Sequence, residues 1–201
     1  MATAKLQGLA DLMDRIIEAV AWIGKISSWL LVAVLVAVLI SIVGGVFRIT
    51  SFATWEGEIF LFGSGLSLNS MLELQWHLFG VLLMLTGAYA FHENRHVRVD
   101  VLSARFSPRT SLVIEIIGDV LLLLPFCILM MDRSIPLLEL AWRTAEQSNE
   151  DGLTDRWFIK SFVTIGFALL TAFGVARALR NLLTLTGAAA PRPEMEVHHD
   201  S

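Results

Sequence analysis

The sequence predicts an all-α fold, an integral membrane bundle of four transmembrane helices with an N-terminal amphipathic helix. Three observations predict it. The 201-residue chain is 55% hydrophobic and only 17% charged, against roughly 45–50% and about 25% in soluble domains. Its mean hydropathy is +0.66. Its Lys and Arg residues leave four apolar stretches between them, and a bilayer crossing takes about 20 such residues at about 1.5 Å each.

Residues 1–25 form the amphipathic segment. Leu6, Leu9, Met13, Ile16, Ile17 and Val20 recur at helical spacing, with Asp11, Asp14, Arg15 and Glu18 between them. This pattern predicts a helix lying along the membrane surface, with docking on a soluble partner as the alternative. The transmembrane domain follows at 26–186. Span one, about 26–47, carries no charge between Lys25 and Arg48. Span two, about 71–91, carries Glu73 and His77 near its start. Span three, about 111–131, carries Glu115, Asp119 and Pro125. Span four, about 159–180, carries Gly166 and Gly174, and Trp157 and Phe158 before it can extend it. Residues 187–201, with Pro191, Pro193, His198 and His199, read as a disordered tail.

Several function classes drop out. A net charge of -4 gives no footprint for nucleic acid. The single Cys127 forms neither an internal disulfide nor a zinc site. No phosphate-binding Gly-rich loop and no H-E-x-x-H is present, so enzymatic chemistry, metal and cofactor are not expected. A haem bundle needs His on facing helices, and only His77 lies inside a span.

Lys and Arg set the orientation. Lys5, Arg15, Lys25, the group Arg95, Arg98, Arg105 and Arg109, and Arg177, Arg180 and Arg192 share one side. Arg48, Arg133, Arg143, Arg156 and Lys160 lie on the other, among many acids. The positive-inside rule therefore puts both termini in the cytoplasm. The third loop, about 132–160, then faces out and is acidic, either as a solvated loop or as a partner's contact. Glu73 and His77 fall near the outer face with Arg48, Arg133 and Lys160. Glu115 and Asp119 fall near the inner face with Arg177, Arg180, Arg98 and Arg105. Two layers of interhelical ion pairs fit better than a proton or sodium path, because no polar group lies at mid-depth between them. Gly80 and Gly87, and Gly166 and Gly174, suit close helix packing, either within the bundle or against another protein. Trp22, Trp29, Trp76, Trp142 and Trp157 suit interfacial anchoring. At this point the residues indicate an accessory membrane subunit, with a self-contained oligomeric ion-coupled transporter as the alternative.

A set of motifs narrows this. Asn94-Arg95-His96-Val97-Arg98-Val99-Asp100 follows span two, Glu73-Leu74-Gln75-Trp76-His77-Leu78-Phe79-Gly80 opens it, and Arg156-Trp157-Phe158-Ile159-Lys160 opens span four. In order and spacing these resemble the small, DctQ-type permease subunit of tripartite ATP-independent periplasmic (TRAP) transporters, over roughly Trp22 to Leu185. His96 and Asp100 occupy the family's His-x-x-x-Asp signature. The resemblance implies a small subunit in the bacterial cell inner membrane that scaffolds a large elevator-type permease subunit. It also implies sodium-driven import of an organic acid delivered by a periplasmic solute-binding protein. It leaves Glu73, Trp76, His77, His96, Arg98, Asp100, Glu115, Asp119, Trp157 and Lys160 as structural or subunit-interface candidates. One departure is Asp151-Gly152-Leu153-Thr154, where similar loops carry Gly-Gly-Leu-Pro. The first loop, Thr50 to Ser70, is also long and divergent.

Overall fold

The computed structural model describes residues 2–93, 106–150 and 152–190. His96, Arg98, Asp100 and Arg105 lie outside the described residues, as do Asp151 and residues 191–201 of the tail. The chain is 76% helical, and four of its helical stretches are long and apolar enough to cross a membrane. It is a small all-α membrane protein with one β-hairpin added.

Helix α1 (Ala2–Ser27) runs into α2 (Leu30–Val46) through a tightened turn. There the Ser28 and Ser27 hydroxyls donate to the Lys25 and Ile23 carbonyls, at 2.6 and 2.8 Å. Such back-bonding competes with the helix ladder and bends it. Strands β1 (Ser51–Ile59) and β2 (Gly63–Ser67) form an antiparallel hairpin. The sequence pattern did not predict it, because the register shifts between Ser51 and Ala53 and again after Thr54. Only Phe52 and Trp55 are half-buried along β1, so no period-2 alternation survives to be read. Helix α3 (Leu68–His92) starts at a reciprocal cap. The Ser67 hydroxyl accepts from the Ser70 N–H at 3.0 Å, and the Ser70 hydroxyl accepts from the Ser67 N–H at 3.4 Å.

Helix α4 (Pro108–Gly118) has Ser107 as N-cap and Pro108 in its first turn. It passes through a π-helical turn, Asp119–Leu123, into α5 (Leu124–Arg143). Pro125 explains the turn. It has no N–H for Leu121, and its ring crowds that carbonyl, so the helix widens just upstream. The extra residue has a use. Buried positions Leu112 and Asp119, then Cys127, Ser134 and Ala141, repeat every seven residues except across the turn, where the step is eight. The insertion keeps the same seam against the last helix, α6 (Arg156–Leu185). Gly174 of α6 meets the widened turn, where a Cβ would stand 3.0 Å from Leu123 and 3.1 Å from Leu124.

The third loop is shorter than expected. Helix α5 continues to Arg143, with Asp132, Arg133, Glu139 and Arg143 on its exposed side, so only residues 144–155 connect it to α6.

The spans pack in a row. Helix α2 lies on α3, α3 on α6, and α6 on α4 and α5. Gly166 is the α3–α6 contact, since a Cβ there would meet Met84 Cβ at 2.7 Å and its carbonyl oxygen at 2.8 Å. The α1 stripe differs from expectation. Met13, Ile17 and Val20 are buried against Ala88 of α3 and Phe173 and Ala176 of α6. The chain's own helices cover that part of the stripe, while Leu6 and Leu9 stay exposed. The most apolar windows of the four spanning stretches are only 6 to 28% buried. Most of their surface is thus left to lipid or to another protein.

Candidate functional site

The polar residues of the spans collect at two ends, which we call the terminal end and the hairpin end. The terminal end is organised by one face of α6. Arg177, Arg180, Asn181 and Thr184 fall at helical spacing and present to a single side. Asp119 is 1% exposed and takes both prongs of the Arg177 guanidinium, Nε at 2.8 Å and Nη2 closer. The same guanidinium lies 5.1 Å from the Phe91 ring centre and 5.4 Å from that of Phe173. Arg180 donates from Nε to both Asp14 oxygens, at 3.1 and 2.9 Å. Its remaining nitrogens reach Thr184 Oγ1 at 2.7 Å and the Ala190 carbonyl at 3.0 Å. Asn181 Nδ2 donates to Glu115 Oε2 at 3.0 Å. Helix α6 therefore answers a carboxylate from α1, from α4 and from the π-turn. A bidentate guanidinium with aromatic flanks suits this low-dielectric position better than an ammonium would.

The hairpin end is built differently from the expected ion-pair layer. Glu73 meets no cation among the described residues. Its Oε1 accepts from the Ser148 hydroxyl at 2.5 Å and its Oε2 from the Leu153 N–H at 3.0 Å. Gly152 packs so close that a Cβ would fall 2.5 Å from the carboxylate carbon. A carboxylate satisfied by backbone and hydroxyl donors needs no counter-ion to be held. His77 Nδ1 faces the Glu73 carbonyl at 2.7 Å, and its ring stacks on Trp76 at 4.8 Å. Trp76 itself is 59% exposed. Lys160 pairs with Glu146 at 2.5 Å, within the third loop and the start of α6. Among the described residues Arg133 pairs only with exposed Asp132, at 3.9 Å, and Arg48 sits in a left-handed conformation just after α2.

These bonds make the third loop an ordered cap. Asn69 Nδ2 donates to the Glu150 carbonyl at 2.8 Å, and the Thr154 N–H to the Leu61 carbonyl in the hairpin at 2.9 Å. Leu153 is fully buried beneath. Trp157 stands edge-on to Trp142 at 4.4 Å and within 6.2 Å of Phe60, and its Nε1 donates to Asp155 at 3.2 Å. Aromatic rings thus join α5, α6 and the hairpin.

Sequence reasoning missed several partners. Gln75 Nε2 donates to the Ala37 carbonyl at 3.2 Å and to the Ser41 hydroxyl, linking α3 to α2. Ser134 and Thr164 link α5 to α6 at 2.8 Å. Asp14, Ser148 and Asn181 were missed too. A polar side chain inside an apolar span was the available signal for Gln75, Ser41, Ser134 and Thr164. Gly80 and Gly87 meet nothing within 4 Å in the chain, so neither serves packing within the bundle, whereas Gly24 is pressed against Tyr89 and the Leu85 carbonyl. Among the described residues no group of His, Cys, Asp and Glu could hold a metal ion.

Comparison with known families agrees with this architecture. The family model for tripartite ATP-independent periplasmic transporters, DctQ component, matches residues 60–184. That stretch runs from the hairpin turn through α3, α4 and α5 to the last turn of α6. No curated protein and no solved structure matches the chain. The family is one of transporter components and is not enzymatic. A match over more than half of the chain, on four spanning-length helices, means that this protein belongs to the DctQ family, the small membrane component of TRAP transporters.

Proposed function

We propose that the chain is the stationary scaffold of its transporter. It holds a large elevator-type permease subunit in the bacterial inner membrane during sodium-driven import of an organic acid brought by a periplasmic binding protein. Both termini face the cytoplasm, with residues 1–25 on that side, 26–186 in the membrane and 187–201 as a cytoplasmic tail. The hairpin and the third loop then face the binding protein.

One observation carries the reading. Glu73, Glu115 and Asp119, the carboxylates of the spans, are each bonded within the chain at one end or the other. An ion path needs polar groups that a passing ion can engage along its depth. Here those groups brace helices and a loop, and the row between them offers apolar faces. The lysines and arginines grouped at the terminal end support the orientation.

The test is uptake in proteoliposomes. The chain alone should give no sodium-dependent uptake, whereas the chain with the large subunit and binding protein should. Uptake by the chain alone would instead mean a self-contained oligomeric ion-coupled transporter.

A further inference from the structure

Helix α5 carries an acid and a base on its outer face, below the membrane rim. Met84 of α3 meets Gly166 of α6, and both helices run from the hairpin end to the terminal end. Counted back from that contact, Trp76 and Trp157 stand at one level, where Trp157 also meets Trp142 at 4.4 Å. Three tryptophans at one level mark the rim at the hairpin end. Ser134 of α5 bonds Thr164 of α6 at 2.8 Å, and Asp132 and Arg133 lie just beyond it toward the terminal end. At about 1.5 Å per residue they sit roughly 10–15 Å below the tryptophan rim, within a hydrocarbon layer about 30 Å thick. Their side chains are 73% and 76% exposed and stand 3.9 Å apart, too far for a hydrogen bond. In line with Arg133, exposed Phe126 and Leu129 lie on one side and exposed Leu137 and Leu140 on the other. The pair thus interrupts an apolar surface and does not end it. Pro136 adds a third polar group, since it has no N–H for the Asp132 carbonyl.

These three groups choose the occupant. Inside the bilayer a freed carbonyl is answered by neighbouring protein or by water in a cavity, and an ionisable side chain faces the same surroundings, not lipid tails. The long stem of Arg133 can bend toward the rim, but Asp132 is too short to do so. Unlike the carboxylates of the two ends, this acid lies outside the bundle and has no hydrogen-bond donor among the described residues. We propose that this face of α5 packs against a membrane helix of the large permease subunit. That helix presents a donor to Asp132 and its carbonyl and an acceptor to Arg133. This rests on the scaffold reading above, in a family that is one component of a tripartite transporter.

The experiment uses the assembled complex in native membranes. In the double variant Asp132→Leu/Arg133→Leu, the two residues lost pair only with each other among the described residues. Chain yield and helix content should therefore stay unchanged. Recovery of the large subunit in a mild-detergent pull-down should fall about ten-fold or more, because the polar groups opposite lose their partners. Unchanged recovery would mean that the face looks into lipid, and the proposal would be overturned. A photo-reactive phenylalanine at Leu129 or Leu137 keeps both charges and gives an independent readout. It should link to the large subunit. Phospholipid adducts alone, or links to a second copy of the chain, overturn the proposal even if the double variant does not fold. If the unmodified chain brings down no large subunit at all, the scaffold reading falls too. If parent and variant recover it equally, only the α5 contact falls.

Discussion

Arg177→Met tests the most buried ion pair among the described residues. It removes the guanidinium and leaves Asp119, 1% exposed, with an unanswered charge. Breaking a buried pair from one side costs about 3–5 kcal/mol. Two aromatic contacts go with it, at about 0.5–2 kcal/mol each, so the upper half of that range is expected. The double variant Asp119→Leu/Arg177→Met has no buried charge. Apolar replacement of a buried pair is neutral to stabilising by about 1–4 kcal/mol, which roughly offsets the lost ring contacts. The double variant should therefore return close to the parent. Equilibrium unfolding by SDS titration from mild detergent micelles, followed by far-UV circular dichroism, measures all four corners of the cycle. A loss below about 1 kcal/mol for Arg177→Met, or a double variant less stable than both singles, would refute the account of this end.

Three further expectations follow from the contacts. Glu73→Ala removes the acceptor for Ser148 and Leu153, at about 1.5–3 kcal/mol per bond to a charged group. Limited proteolysis should then cut residues 144–155 faster, while the binding protein's substrate affinity stays unchanged. Gly152→Ala drives a methyl into the same carboxylate and should give the same cleavage pattern. Gly166→Ala, against the Met84 backbone, should cost about 1–3 kcal/mol as an overpacked contact. Gly80→Ala, with nothing within 4 Å, should gain up to about 1 kcal/mol of helix propensity, both read in the same SDS titration. Deleting Val120 should leave the fold and detergent stability close to the parent, because the buried seam then steps by seven throughout. Deleting Leu169, in an unbroken part of α6, should abolish stable folding by turning Phe173, Ala176 and Arg180 off their face.

The spans were legible because hydrocarbon imposes one rule on every residue in it. Lys25 and Arg48 bracket a charge-free run, and α2 lies within it. The terminal-end layer was half legible. Asp119 and Arg177 share a depth, and a charge at that depth needs a partner, so their place in one layer, though not their pairing, followed from orientation alone. The partners of Arg180 and Glu115 did not, because the sequence gives no rotation for a helix about its axis. Asp14 lay in a segment assigned to the membrane surface, and Asn181 looked like an ordinary polar residue beyond the span. At the hairpin end the same logic misled. Glu73 sits at the depth of Arg48, Arg133 and Lys160, yet backbone N–H groups and hydroxyls answer it, and these donors carry no charge to count. The hairpin escaped because its bulges erase alternation.

A row of helices and a closed ring bury different things. A ring of four hides its polar seam and turns one kind of surface outward. A row leaves two broad faces, so its helices must be held in register by something other than a common core. Here the two ends supply that hold. Helix α6 bonds three other segments through Arg177, Arg180 and Asn181. The third loop is tied to α3 by Glu73 and to the hairpin by Thr154. Close to the hairpin end, Gln75 with Ser41 and Ser134 with Thr164 fix the outer pairs. Such a sheet of helices keeps its apolar faces free, which suits the stationary scaffold proposed above. A conducting protein needs the reverse, with polar groups inside and mobility around them. On the proposed scaffold reading, the placement of charge at the rims, and not its amount, is what separates this component from a pump.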